Sequence, residues 1–228
     1  MTDSPFRFSD AECAAVYRAI AERRDMRHFN SNPIDPATLE RLLNAAHCAP
    51  SVGLMQPWRF VRVSDRQLRR RIHGLVEHER HRTAAALGSR QNEFLGLKVQ
   101  GVLECGELLV AALCDGREKH VFGRRTLPQM DLASVACAIQ NIWLAARAEG
   151  IGMGWVSLFD PDALAQLLDM PEGSLPIAIL CLGHVDAFYP APMLEITGWA
   201  KARPLHELLF LDRWNNGAPQ NLTTTSAP

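Results

Sequence analysis

The sequence predicts an α+β fold in which helices and a sheet form separate layers. Helical and strand patterns interleave along the 228 residues without the strict strand–helix–strand alternation of a doubly wound sheet. Two continuous apolar segments, 108–113 and 176–183, are typical of strands buried in a sheet. No internal repeat is visible, so we expect one domain over residues 1–214.

Two helices in the N-terminal part are predicted from their caps. Ser9 and Glu12 have the spacing of a capping box, so the first helix begins there and continues to about residue 23. Asp35 and Pro36 suit the N-cap and first position of a second helix, in which apolar residues recur every three or four positions. Pro50 cannot continue a helix and is expected to end this one.

The remaining elements are predicted from apolar spacing and from glycine and proline positions. A broad apolar stripe predicts a long helix at 128–149, and Gly150 suits the left-handed position after its last turn. Residues 198–214 are expected to form an extended C-terminal arm, and the tail 215–228 is expected to be disordered. The other predicted elements are a strand at 59–63, a charged helix at 65–87, a weaker helix at 93–103, a strand at 153–157 and a short helix from residue 160.

Composition and charge exclude several classes of protein. A net charge of −1, from 24 Lys+Arg and 25 Asp+Glu, provides no global field for nucleic acid or a membrane. The N-terminal residues lack the apolar core of a signal peptide, and no segment of about 18 apolar residues occurs, so a cytoplasmic enzyme is expected.

The six cysteines lack C-x-x-C spacing and are expected to be buried free thiols. His73, His78 and His81 on the charged helix lack a thiol or carboxylate cluster, so no metal is expected.

The first chemically informative segment is Arg23-Arg24-Asp25-Met26-Arg27. Three arginines within five residues can converge on one dianion, because guanidinium groups match phosphate oxygens bidentately. The neighbouring cations are expected to lower the pKa of Asp25 and to keep its carboxylate ionised at neutral pH. Taken alone, such a segment more often forms a patch of surface salt bridges.

The second informative segment is the loop at 50–58, whose prolines restrict its backbone. Ser51 and Gln56 offer hydrogen-bond donors and acceptors, and Gly53 allows the backbone to approach a ligand. Trp58 either stacks on a planar ring or fills the core. The sequence alone does not decide between these two roles of Trp58.

A glycine-rich segment at 150–157 and a late basic pair complete the set. The glycine-rich segment follows a helix and precedes a strand, which is the reverse of a dinucleotide-binding fingerprint. It is better suited to placing backbone N–H groups against a flat heterocycle, with Ser157 directed at that ring. Lys201 and Arg203 either complete a phosphate site or face solvent.

In this order, the four segments resemble the nitroreductase-like flavoprotein superfamily. Its pattern combines an early R-R-S-x-R, a P-S-x-x-N-x-Q-P-W loop, a glycine-rich strand and a late basic pair. Asp25 stands where most members carry serine, and Leu54 stands where they usually carry asparagine. With the segments SVGLMQPW, PQMDLAS, QNIWLAARAEG, GMGWVS and CLGHVD, these departures resemble the subfamily of aerobic 5,6-dimethylbenzimidazole synthases, over about residues 16–209.

The resemblance implies an FMN-binding fold with a central, mostly antiparallel sheet flanked by helices, and a homodimer whose flavin site lies between subunits. It implies that FMNH₂ is consumed as a substrate with O₂, giving 5,6-dimethylbenzimidazole, the lower ligand of cobalamin, and D-erythrose 4-phosphate. A separate flavin reductase would supply the FMNH₂, and no metal is required. The residues that the resemblance assigns to FMN are Arg23, Arg24, Asp25, Met26, Arg27, Ser51, Gly53, Met55, Gln56, Lys98, Gly154, Ser157, Lys201 and Arg203.

Asp25 and Ser157 are the expected catalytic residues. Breaking the ribityl–ring junction requires proton transfer, which a positioned carboxylate accelerates typically by about 10²–10⁴-fold. Ser157 is expected to hydrogen-bond either the flavin N5 or a flavin peroxide, whose collapse it would direct. Leu54, Met55 and Trp155 are bulky enough to close the space above the ring, which an ordinary flavin reductase leaves open for NAD(P)H.

Two other functions remain open at this point. An NAD(P)H-dependent nitroreductase or flavin reductase would share the fold and the site, although Asp25 and Leu54 argue against it. A non-catalytic flavin-storage module would need the arginines but neither Asp25 nor Ser157. Reduction of a nitroaromatic with NADH would identify the first, and intact recovery of flavin after aerobic incubation of FMNH₂ would identify the second.

Overall fold

The computed structural model describes residues 5–214, so the expected disorder of 215–228 concerns residues outside this part. The chain forms two compact units, Met1–Pro190 and Ala191–Pro228, and the prediction of one domain stays a prediction. The second unit contains the short helix α7 at Met193–Ile196. The elements of the first unit are α1 Asp10–Glu22, α2 Pro36–His47, β1 Trp58–Arg62, α3 Arg66–Ala86, α4 Gln91–Leu95, β2 Glu107–Leu113, α5 Met130–Ala148, β3 Gly152–Val156, α6 Pro161–Leu167 and β4 Leu175–Gly183.

The four strands form one sheet in the order β1-β2-β4-β3, and each neighbouring pair is antiparallel. Every residue of β2 is buried, because both faces of this central strand are covered. Leu109 and Ala111 pack into the core on one face, whereas Leu108 and Val110 pack into the core on the other. The predicted antiparallel sheet flanked by helices is confirmed.

Helices from different parts of the chain cover the two faces. The first core contains apolar side chains of α2 and α5, including Leu42 and Ile139. The second core contains side chains of α3 and α6, including Ile72 and Leu164. Trp58, at the start of β1, is buried in the first core and therefore serves packing.

Local capping accounts for several helix ends. The capping box of Ser9 and Glu12 is present, and Asp35 accepts a hydrogen bond from the amide of Thr38 at 3.0 Å. Gly150 has a φ of 74°, as expected for the residue that follows α5. Helix α2 ends at His47, three residues before the proline predicted to end it.

The helix predicted at 93–103 is wrong in most of its length. Helix α4 covers only Gln91–Leu95, and the following residues up to β2 are irregular. A Cβ at Gly101 would lie 2.5 Å from the ring of Phe29, and one at Gly106 would lie 2.6 Å from the carbonyl oxygen of Asn32. The segment thus follows a close tertiary contact that its local apolar spacing does not reveal.

The predicted burial of the cysteines is only partly correct. All six cysteines have free thiols, but only Cys105 and Cys181 are buried. Cys48 and Cys137 are exposed, because they lie on outward positions of helical segments.

Within residues 5–214, every helix is too short or too polar to cross a lipid bilayer.

Candidate active site

Asp25 lies on a segment that runs beside β3. Asp25 and Met153 form a parallel bridge, and the amide of Met26 donates to the carbonyl of Met153 at 2.9 Å. Farther along β3, the amide of Trp155 donates to Oδ1 of Asp25 at 2.9 Å. The strand therefore fixes both the backbone and the carboxylate of Asp25.

Arg27 holds the other oxygen of this carboxylate. Its Nη2 donates to Oδ2 of Asp25 and also to the carbonyl of Trp155, the latter at 2.9 Å. The Arg27 side chain is only 9% exposed, and its Nε and Nη1 are buried without a hydrogen-bond partner in the described part of the chain. Buried guanidinium donors are rarely left unsatisfied, so this arrangement suits an acceptor supplied by a ligand.

Gly154 allows the arginine-rich segment to approach the strand. A Cβ at this position would overlap the carbonyl oxygen of Met26 and would lie 3.2 Å from Nη1 of Arg27. Any side chain at Gly154 would separate the two segments. The close approach thus depends on the glycine-rich character of β3.

The pKa of Asp25 is raised above its ordinary value, which corrects the expectation from the sequence. Burial is the largest influence and raises it, because protein atoms crowd the carboxyl although 41% of the side-chain surface is exposed. Arg27, the amide of Trp155 and Arg23 lower it, in decreasing order, but do not outweigh the burial. The sequence shows the arginines beside Asp25, but it does not show how far folding removes the carboxyl from water.

The three arginines have three different sets of partners. Arg24 donates from Nη1 to the carbonyls of Ala21 and Arg23 at 2.7 and 2.8 Å, and from Nε to that of Tyr189 at 3.1 Å. The guanidinium of Arg23 lies 4.5 Å from the centre of the Trp143 ring. Their convergence on one phosphate stays a prediction.

Two residues that the sequence did not single out individually support this segment. The indole N–H of Trp143, on α5, lies 3.1 Å from the carbonyl oxygens of both Arg24 and Met153. The Tyr189 hydroxyl accepts from the amide of Arg27 at 3.2 Å and lies 2.6 Å from Nδ1 of His28. Trp143 belongs to the apolar stripe of the long predicted helix, whereas no sequence pattern points to Tyr189.

The loop predicted to border the flavin has a strained backbone. Gly53, Leu54 and Gln56 have φ values of 53°, 52° and 48°, a region that residues other than glycine rarely adopt. The hydroxyl of Ser51 accepts from the amide of Gln56 at 3.0 Å and so closes the loop. Met55 and Gln56 are partly exposed, and Leu54 is 81% exposed.

The remaining predicted residues are more scattered. Ser157 is exposed immediately after β3, and Lys98 forms an ion pair with Glu104 at 2.6 Å. Lys201 and Arg203 belong to the second unit, in which Nε of Arg203 lies 3.0 Å from a carboxylate oxygen of Glu207. The structure thus joins Asp25, Met26 and Arg27 to Gly154 directly, and the flavin contacts of the other residues stay predictions.

No group of three or more His, Cys, Asp or Glu side chains suited to a metal ion occurs among residues 5–214. Of the three histidines on α3, His73 lies 4.0 Å from a carboxylate oxygen of Glu77. Histidine beside a single carboxylate does not make up a ligand set for zinc or another transition metal.

Known proteins are similar to this chain in sequence and in fold. The Nitroreductase family profile matches residues 20–184. A 5,6-dimethylbenzimidazole synthase from Rhodospirillum rubrum is 42% identical over 189 residues, which make up 80% of this chain and 87% of the relative. The family profile alone covers most of the first unit, including the segment that carries Asp25 and the strand that carries Gly154.

Two solved structures share the fold at low sequence identity. A BluB-like flavoprotein from Clostridium difficile 630 has a TM-score of 0.67 at 18% identity, over 87% of this chain and 99% of the other. Iodotyrosine deiodinase, solved with FMN and 3-iodo-L-tyrosine, has a TM-score of 0.66 at 22% identity, over 89% of this chain and 100% of the other. Both likenesses show the fold of this chain, and the second of these proteins carries FMN on it.

Proposed function

Because the chain belongs to the nitroreductase family, we propose that it is a 5,6-dimethylbenzimidazole synthase that uses FMNH₂ and O₂ as substrates. The second product is D-erythrose 4-phosphate, and the benzimidazole serves as the lower ligand of cobalamin. The observation that carries the proposal is Asp25, a crowded carboxylate with a raised pKa held between the Trp155 amide and Arg27. The 42% identical synthase from Rhodospirillum rubrum supports the choice of reaction.

The residues around Asp25 fit a flavin. Arg27 has two buried donors without partners in the described residues, which suit oxygen or nitrogen acceptors of a ligand. Gly154 lets the segment that carries Asp25 and Arg27 lie against β3, the strand that immediately precedes Ser157. Ser51 and Gln56 would border the ring.

The chemistry requires a group that can take and return a proton at the ribityl C1′. When bound, reduced FMN supplies the electrons that O₂ accepts. Asp25 suits the proton transfer because its raised pKa lies nearer to neutral pH than that of an exposed aspartate. Arg27 orients the carboxylate through Oδ2, which leaves Oδ1, already hydrogen-bonded to one amide, with a further lone pair. Ser157 would hydrogen-bond N5 of the ring, its hydroxyl accepting from the N5–H of reduced FMN.

The decisive experiment is a single turnover. The protein is loaded anaerobically with FMNH₂, mixed with O₂, and the products are identified by mass spectrometry. We expect 5,6-dimethylbenzimidazole and erythrose 4-phosphate in equal amounts. Recovery of all flavin as intact FMN would contradict the proposal and would favour a flavin-storage protein.

The source of electrons separates the proposal from a nitroreductase. We propose that a separate flavin reductase supplies FMNH₂, so NADH or NADPH with FMN and this protein alone should give little product. Addition of an unrelated flavin reductase should restore product formation. Fast reduction of a nitroaromatic by this protein with NADH would instead favour the nitroreductase function.

A further inference from the structure

The segment PQMDLAS, at 128–134, opens helix α5 and contains two buried polar side chains that the proposed function does not use. Asp131 and Ser134 are 5% and 4% exposed. Three residues apart in a helix, they lie on the same side of its first turns. Each holds a different loop, so the two interactions can be followed separately.

Asp131 is the centre of a buried ion cluster. Its Oδ2 lies 3.0 Å from Nε of Arg117 and 3.0 Å from Nη2 of Arg124, and both arginine side chains are mostly buried. Nη1 of Arg124 also donates to the carbonyls of Arg117 and His120. One carboxylate on α5 therefore fixes the loop at 115–128 through two of its residues.

Ser134 holds the loop at 50–56. Its hydroxyl donates to the carbonyl of Met130 at 2.6 Å and accepts from the amide of Val52 at 3.0 Å. The donor and one acceptor position of this hydroxyl are thus both used. The hydrogen bond from Val52 attaches the start of the loop to the helix.

The two loops pack directly on each other. A Cβ at Gly53 would lie 3.0 Å from the carbonyl oxygen of Phe122, and a Cβ at Gly123 would lie 2.5 Å from Cγ2 of Val52. Neither glycine can carry a side chain without moving the other loop. A displacement of 115–128 is therefore transmitted to 50–56.

We propose that Asp131 and Ser134 are positioning residues, which hold the loop at 50–56 in its strained conformation. Backbone with positive φ at Leu54 and Gln56 persists only where surrounding contacts determine it strongly. Ser134 supplies one such contact directly, and Asp131 supplies others through the loop at 115–128. The consequence for FMNH₂ rests on the proposed function, in which this loop borders the ring.

The test is amide hydrogen exchange on single variants of the full chain. In Asp131→Asn, exchange at 115–128 and at 50–56 should become faster by about tenfold or more, because a buried charge-assisted interaction is lost. In Ser134→Ala, the acceleration should be confined mainly to 50–56. Glu107→Gln is the matched control: Glu107 is also a buried carboxylate paired with an arginine, Arg62, at 2.6 Å, and it should leave both loops unchanged.

A second measurement, which does not depend on hydrogen exchange, is the fraction of FMNH₂ that is converted to benzimidazole. In Asp131→Asn, more of the FMNH₂ should react as FMNH₂ + O₂ → FMN + H₂O₂, so that less benzimidazole forms per flavin oxidised, while KM for O₂ stays near that of the wild type. Arg124→Lys, which keeps the positive charge beside Asp131 but alters the hydrogen bonding, should give a benzimidazole yield between those of Asp131→Asn and the wild type. It also provides the exchange measurement if Asp131→Asn fails to fold.

Unchanged exchange in both loops of folded Asp131→Asn or Arg124→Lys would overturn the inference, whatever the activity. Accelerated exchange with an unchanged product ratio would overturn the positioning role and leave only a structural one. If the wild type forms no benzimidazole, the proposed function fails. The inference is then decided by exchange together with the dissociation rate of FMNH₂, which should rise in Asp131→Asn and stay constant in Glu107→Gln.

Discussion

Asp25 experiences two opposed influences on its proton. Removal from water favours the neutral acid, whereas Arg27 and the amide of Trp155 favour the carboxylate. Because burial is the larger influence, the carboxyl gains a proton more readily than an exposed aspartate would. A carboxyl that is protonated more readily than an exposed aspartate, and that is held in a fixed orientation, is suited to general acid–base catalysis.

Replacement of Asp25 by Asn or Ser should abolish flavin fragmentation and leave FMN binding largely intact. Asparagine keeps the acceptor for the Trp155 amide but cannot take a proton, so the rate should fall by about 10²–10⁴-fold. The measurement is the benzimidazole yield per FMNH₂ under O₂, alongside FMN titration. Asp162→Asn, on the exposed first turn of α6, is the control. Normal product formation by the Asp25 variants would refute the role.

The raised pKa of Asp25 also predicts a pH dependence of stability. Since the folded carboxyl has a higher pKa than the unfolded one, the folded state holds more protons in the window above about pH 4, the ordinary value for aspartate. The stability of the wild type relative to Asp25→Asn should therefore be greatest in acid. It should fall as pH rises through the folded pKa.

Urea denaturation of both proteins at a series of pH values from about 4 to 7 measures this difference. The comparison cancels the titration of every other group that the two proteins share. A difference that grows with pH would mean that the ion pair with Arg27 dominates over burial. In that case folding would lower the pKa of Asp25 instead of raising it.

The sequence pointed to Asp25, Arg27 and Gly154, which the structure brings together, and missed the residues that support them. Asp25 and Arg27 are close in sequence, and Gly154 lies in a visible glycine-rich segment, so local pattern was sufficient. Trp143 and the carbonyl of Arg24 are 119 positions apart, and only the folded chain brings them together. Desolvation of Asp25 likewise arises from tertiary packing, which is why its pKa direction was predicted wrongly.

At the scale of elements, β3 and the arginine-rich segment act as one unit through Gly154. Gly154→Ala should push Met26 and Arg27 away from the strand, because the added methyl would overlap the Met26 carbonyl. We expect a loss of about 1–3 kcal/mol in the free energy of unfolding, typical of overpacking, together with weaker FMN binding. Chemical denaturation and flavin titration measure the two effects.

Gly74→Ala is the matched control for this change. Gly74 lies in α3, and apart from its chain neighbours and the backbone of its own helix no atom lies within 4 Å of the added methyl group. This substitution should be neutral or should stabilise the protein by up to about 1 kcal/mol, because alanine has a higher helix propensity than glycine. Equal stability and equal FMN affinity of Gly154→Ala and Gly74→Ala would contradict the proposed role of the close approach.

Elements with strong periodicity or clear caps were predicted best. The long helix α5 and the buried strands β2 and β4 appear within two residues of their predicted bounds, because burial of a continuous face dictates both pattern and structure. The helix prediction for 93–103 was wrong because Gly101 and Gly106 are positioned by contacts with a distant part of the chain. Local propensity yields to tertiary packing in such segments.

At the scale of the whole molecule, α1 presents apolar side chains that the described part of the single chain leaves exposed. None of its residues is buried, and Val16, Tyr17 and Ile20 are 50%, 72% and 50% exposed. A 13-residue helix is marginal in water unless an apolar face is covered. We therefore expect a homodimer in which α1 contributes to the interface, in agreement with the dimer implied for the fold.

Ile20→Glu should shift the protein from a dimer to a monomer of 25.3 kDa, measured by sedimentation or light scattering. A buried, unpaired charge at the interface should weaken association by about tenfold or more. FMN affinity should fall with it, because a flavin site between subunits is completed only in the dimer. Leu103→Glu, which adds the same charge at an apolar residue that is 48% exposed elsewhere, should leave both unchanged.

The two readouts separate assembly from the site itself. If Ile20→Glu becomes monomeric and binds FMN as tightly as the wild type, one chain holds the flavin and the two-subunit site is wrong. If it remains dimeric with normal affinity, α1 lies outside the interface. Loss of FMN affinity that is restored at high protein concentration would link binding to association by mass action, because added protein would repopulate the dimer. That dependence on concentration would not arise from local damage at Ile20.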